Sequence, residues 1–195
     1  EIKSFFDEVV SVSSVSSQLI EDANKNIEMA EEFLEKKDVN KAMEIFSELI
    51  SSEIPKKEMS RAMSGLGRCL LETNKLDELD DLLNQLEDSL KETSEIKELI
   101  EAKNFFSRIV DLSKETIIED DNKNIFQNKL HSARKSILDR NYQEAIDMYL
   151  FIINKDSTWK DGLAKNELLS LFSFLGNHNN ITVSGRSKLL NILYK

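Results

Sequence analysis

Three stretches of this chain repeat one order of residues, and that order leaves few folds open. AEEFLEKKDVNKAMEIFSEL, SGLGRCLLETNKLDELDDLLNQL and ARKSILDRNYQEAIDMYLFI each carry a small residue on a first segment, then a polar elbow and a second segment. The first and third place another small residue on the second segment and a large one four positions later. In the first stretch these residues are Ala30, Ala42 and Phe46, and in the third they are Ala133, Ala145 and Tyr149. The middle stretch is degenerate: Gly67 holds the first small position, while Leu79 and Leu83 replace the small-large pair. Small residues let two antiparallel helices approach closely, and large ones fill the gap to the next pair. A chain written this way stacks helix pairs.

The remaining sequence agrees with that reading. Apolar residues recur at helical spacing from Gln18 onward, broken by polar elbows near Lys37-Asp38, Glu53-Pro55, Thr73-Lys75, Thr93-Ser94, Asp120-Lys123, Asn141, Asp156-Ser157 and Gly176-Ile181. These breaks predict about ten helices. One proline and five glycines leave little material for sheet turns, so the fold class is all-α. Residues Glu95 to Leu112 form a further helix too apolar to stand alone in water, and it is expected to lie against the second pair. The run Ser11 to Gln18, SVSSVSSQ, reads as a linker. The expected organisation is a terminal helix and linker over 1–17, a first set of paired helices over 18–115 and a C-terminal sub-bundle over 116–195.

Several function classes are disfavoured by the residues themselves. A net charge of -10 argues against a nucleic-acid surface, which needs clustered Lys and Arg. Cys69 is the single cysteine, so the chain holds no internal disulfide or CxxC pair, and a reducing, cytoplasmic setting is expected. Its apolar neighbours predict a buried, inert thiol. No apolar run approaches the roughly 20 residues that span a bilayer. His131 and His178 lie far apart with no ligand at metal spacing, and the acid clusters at Asp80-Asp81 and Glu119-Asp121 read as a solvated face and a helix start. Nothing pairs a nucleophile with a base. The expectation is a binding protein with no cofactor, metal or catalytic residue.

The last forty residues narrow this further. They order Trp159, Asp161, Gly162, Lys165, Leu168, Leu169, Phe172, Leu175, Gly176, Arg186, Leu189, Ile192, Leu193 and Tyr194 as an aromatic-x-D run, an apolar helix closing in F-x-x-L-G and a final R-x-x-L helix. That ending resembles the C-terminal domain of the bacterial thioredoxin-tetratricopeptide proteins, the chaperedoxin family. The three repeated stretches are similar to tetratricopeptide repeats, which implies antiparallel helix pairs forming a short superhelical solenoid. The amphipathic opening EIKSFFDEVV looks like the last helix of a thioredoxin domain.

The resemblance implies a chaperone-associated module that holds unfolding client proteins and docks on a GroEL-type chaperonin. In such repeats the first helix of each pair lines the concave face. Here that face offers Ile27, Leu34, Arg61, Arg68, Leu71, Leu130, Arg134 and Ile137 as a peptide or client groove. The same arginines read equally as partners of neighbouring acids. The family's docking element is its last helix, which carries that role to Arg186, Lys188, Leu189, Leu190, Leu193 and Tyr194. Capping of the final helix pair is the alternative there, and one of Leu189 and Leu190 is expected to face the core. A scaffold that recognises one protein or peptide partner, without a chaperone role, is the rival function.

Overall fold

The structure, a computed structural model, describes residues 2–114, 125–176 and 179–194, with residues 2–16 described by backbone alone. All regular structure among the described residues is helical. In chain order the elements are α1 (Ile2–Glu35), α2 (Val39–Ile50), α3 (Lys56–Glu72), α4 (Leu76–Gln85), α5 (Asp88–Lys91), α6 (Ser94–Ser113), α7 (Ile125–Leu138), α8 (Tyr142–Lys155), α9 (Trp159–Leu175) and α10 (Asn180–Leu193). The chain divides into two compact units, 1–100 and 101–195. Helices α1 to α4 pack in sequence in the first, and α7 to α10 pack together in the second. The elbow expected at Asp120-Lys123 and the residue His178 lie outside the described residues.

The three repeated stretches fold alike because each ends its first helix the same way. Lys37, Asn74 and Arg140 all take positive φ, at 63°, 59° and 62°. Around each, two backbone bonds close the helix: Asp38 N–H to Phe33 C=O at 2.9 Å, Lys75 N–H to Leu70 C=O at 2.9 Å and Asn141 N–H to Ser136 C=O at 2.8 Å, each with a shorter-range bond one residue earlier. This is the Schellman closure, which uses the left-handed residue to satisfy the last carbonyls. The next helix begins at once, with Asp38 accepting from the Lys41 N–H at 3.4 Å in the first stretch.

The small residues serve the packing that their spacing implied. Ala30, Ala42, Ala133 and Ala145 are fully buried, as are Phe46 and Tyr149. Ala23, Ile27 and Ala30 of α1, Ala42, Phe46 and Leu49 of α2, and Ala62 and Cys69 of α3 form one core. A Cβ on Gly65 would fall inside the Phe46 ring, so α3 can approach α2 only because that position is glycine. Gly67 does the same for Leu99 of α6. The degenerate middle repeat is thus completed by α6, whose Ile96 also joins Leu86 and Leu90 in a second cluster. That half of α6 lies where the sequence put it, against the second pair.

Two expected boundaries differ from the structure. Helix α1 runs unbroken through Ser11 to Gln18, the stretch read as a linker. Serine and valine each cost only about 0.5 kcal/mol in a helix, and this run holds neither glycine nor proline to stop it. The compact units part between residues 100 and 101 rather than near 115. The cause is aromatic: Phe105 and Phe106 of α6 pack on Phe174 of α9 at 5.6 and 6.2 Å between ring centroids, drawing that half of the helix into the second unit.

Candidate functional site

In the first unit the expected groove residues are mostly not available to a ligand. Ile27 and Leu71 are core residues with no useful exposure. Leu34 is half-buried against the α1–α3 core. Arg61 donates to Asn24 Oδ1 at 2.6 Å and reaches Glu31 at 3.5 Å, and Arg68 stands 3.9 Å from Glu98. Arg61 thus sits among partners on α1, while Arg68 is a partly exposed side chain near Glu98. Apolar first-helix positions turn toward the second helix because that is where their area can be removed from water.

In the second unit Ile137 is likewise in the core, and Leu130, almost fully buried, shows only an edge to a cleft between α6, α7 and α9. Arg134 is buried too, and its surroundings explain why. Its Nη2 and Nε donate to the two carboxylate oxygens of Glu167 at 2.6 and 3.2 Å, a bidentate pair. Tyr149 donates its hydroxyl to Glu167 Oε2 at 2.8 Å. Burial first, and then the Glu167 charge and hydrogen bond, push the Tyr149 hydroxyl well above its ordinary range, so it stays a donor. Three residues from α7, α8 and α9 thus share one internal polar contact.

Above that contact lies an open cleft of about 440 Å³ between α6, α7 and α9. Leu112, Leu130 and Leu163 give it apolar walls, while Gln127, Asn166 and Ser170 offer neutral hydrogen-bonding groups. Arg108, Arg134 and Lys160 against Glu167 leave its lining at three cations to one anion. Arg108 sits 5.8 Å from the Phe105 ring centre. Lys160 donates to Gln127 Oε1 at 2.6 Å and lies 5.0 Å from the Trp159 ring, which meets Phe126 edge-on at 5.7 Å.

Lys160 is held there by an unusual backbone. Lys160, Asp161 and Gly162 take left-handed angles in succession, with φ of 48°, 57° and 75°. For the two non-glycine residues this costs roughly 1–2 kcal/mol each. Sequence reasoning missed Arg108, Gln127 and Lys160 as lining residues, although the Asp161-Gly162 dipeptide is a recognised turn signal that marks the place.

The last helix presents the other surface. Leu189 is 5% exposed and faces the core, with Thr182 and Gly185 beside it. A Cβ on Gly185 would meet the Phe172 ring at 2.7 Å and Ile146 at 3.3 Å, so this glycine sets how closely α10 sits on α8 and α9. Val183 and Leu190 share a side turned away from that contact, and they, Leu193 and the C-cap residue Tyr194 are exposed by 56, 54, 41 and 85% in chain order. Arg186 flanks this stripe, its guanidinium 5.7 Å from the Phe172 ring centre, and Lys188 is tied to Asp147 at 3.0 Å. Leu189 therefore belongs to the fold, and the other five docking candidates lie at the surface.

Burial, with Glu72 adding to it, pushes the Cys69 thiol up to about 12, which leaves no thiolate at neutral pH. Among the described residues, no group of three or more His, Cys, Asp or Glu is placed to hold a metal ion, and no helix is long and apolar enough to cross a membrane.

Residues 111–194 match the model of a tetratricopeptide repeat family. Over those residues the chain is similar to a tetratricopeptide repeat, and the all-helical paired architecture is that of a tetratricopeptide-like solenoid. Domains of this type act as protein-binding scaffolds. No curated protein matches the chain. A solved structure of a domain of a Vibrio parahaemolyticus protein of unknown function is similar at 20% identity and a TM-score of 0.37, over 88% of this chain and 99% of that one.

Proposed function

We infer that this chain is a protein-interaction module of the chaperedoxin kind, which docks on a GroEL-type chaperonin through the exposed face of α10. The observation that carries this reading is the stripe of Val183, Leu190, Leu193 and Tyr194. Four large exposed apolar side chains on and just beyond a short surface helix, edged by Arg186, have the composition of an interface anchor set rather than of a solvated surface. The resemblance of the C-terminal forty residues to the chaperedoxin ending supplies the partner. Holding of unfolded clients has no comparable support, since Ile27, Leu71, Leu130 and Ile137 are in the core.

The test is binding of the full chain to a GroEL-type chaperonin, measured by biolayer interferometry. Arg186→Glu combined with Tyr194→Ala is expected to weaken it about tenfold or more, near 1.4 kcal/mol, with helix content by circular dichroism unchanged. Tight binding by a folded double variant would reduce α10 to a structural cap. A scaffold that serves a different protein would show no chaperonin binding in either form.

A further inference from the structure

Helix α10 covers its neighbours with little of itself. Of its 14 residues only Thr182, Gly185 and Leu189 are buried, whereas α8, of the same length, buries Ala145, Ile146, Tyr149, Leu150, Ile152 and Ile153. The difference matters because a helix of this length is held mainly by tertiary packing of its apolar face. Leu189 is the one large apolar side chain among the three. Thr182 brings a hydroxyl that is buried without a hydrogen-bond partner among the described residues, and covering such a group opposes packing. Gly185 has no side chain to bury and is a weak helix former. Further ties run along the edge, where Arg186 lies over the Phe172 ring and Lys188 meets Asp147 at 3.0 Å with both side chains about half exposed. An exposed ion pair adds little.

We propose that α10 is a displaceable cap, which leaves α8 and α9 as one unit while α7, α8 and α9 stay folded. Its departure uncovers Ile146 and Phe172. Both are fully buried in the closed form, and a Cβ on Gly185 would meet both, so they lie directly beneath the helix. The chain can pivot at Gly176, whose φ of 87° and ψ of 155° are open to glycine almost alone and where a Cβ would find nothing within 4 Å. The closed form hides an apolar face that the open form presents, so this equilibrium sets how much apolar surface the unit shows. Val183 and Leu190 point away from the covered face and take no part in closure. The cap is therefore independent of chaperonin docking, and the two readings fail separately.

Native-state hydrogen exchange of the full chain at sub-denaturing urea separates release from global unfolding. A 14-residue helix is marginal when alone in water, so release melts α10 and frees its amides to exchange. Amides of 184–193 are expected to share one opening, about 100-fold more frequent than that of α8 and with a smaller urea dependence. Thr182→Val keeps the side-chain shape without the hydroxyl and should slow that exchange about fivefold. Gly185→Ala sets a methyl 2.7 Å from the Phe172 ring and should speed it about tenfold. Circular dichroism checks that each variant is folded. Four results would each overturn the proposal: α10 amides that open only together with α8, amides that fray singly from residue 193 inward, a Thr182→Val chain that exchanges no more slowly than the parent, or a Gly185→Ala chain that exchanges no faster.

Discussion

Glu167→Ala is expected to destabilise the C-terminal unit by about 3–5 kcal/mol. The reason is what remains behind. Arg134 would keep its charge at 4% exposure without its bidentate carboxylate, and the Tyr149 hydroxyl would lose its acceptor. Removing one partner of a buried ion pair costs on this scale because an uncompensated charge stays in a low dielectric. Replacing all three groups with apolar residues of similar size, Arg134→Met with Tyr149→Phe and Glu167→Leu, should recover most of the loss, since no charge or donor is then stranded. Urea denaturation followed by Trp159 fluorescence reads this directly, because the tryptophan lies in the same unit. A cost below about 1 kcal/mol for Glu167→Ala would mean that water reaches the pair and that it is not an internal contact.

Phe46→Ala should cost a similar amount, about 3–5 kcal/mol, by opening a cavity between α2 and α3. Its partner makes the test more specific than the loss alone. Gly65→Ala by itself adds a methyl where the Phe46 ring stands and should cost about 1–3 kcal/mol. In the Phe46→Ala background the same methyl enters empty space, and alanine also favours the helix over glycine by up to about 1 kcal/mol. Gly65→Ala is therefore expected to change sign between the two backgrounds in thermal melts. Additive behaviour would show that the ring does not rest on Gly65.

Both predictions concern residues whose roles differ in how far the sequence reveals them. Ala30, Ala42, Phe46, Ala133, Ala145 and Tyr149 are legible as a packing code, because close helix approach admits few side chains at those positions. The elbows are legible as positions but not as conformations: Lys37 and Arg140 carry a Cβ, and their left-handed angles follow from the helix closure and not from residue type. Periodicity shows that Ile27, Leu71, Leu130 and Ile137 share faces, yet it cannot say whether a face looks at the paired helix or at an open groove. The structure answers that they look inward. The Arg134–Glu167 pair joins residues 33 apart on different helices, a distance at which no local pattern gives a signal. On α10 the sequence narrows the core-facing residue to Leu189 or Leu190, and the burial of Leu189 decides it.

The exposed face of α10 is also where the functional reading is most open to direct attack. Hydrogen exchange of the full chain, free and saturated with a GroEL-type chaperonin, compares every amide in one measurement. Docking through the stripe is expected to slow exchange across 183–194 and to leave α2 and α3 unchanged. A chaperonin complex in which α10 exchanges as in the free chain, with slowing confined to other helices, would contradict docking through this face.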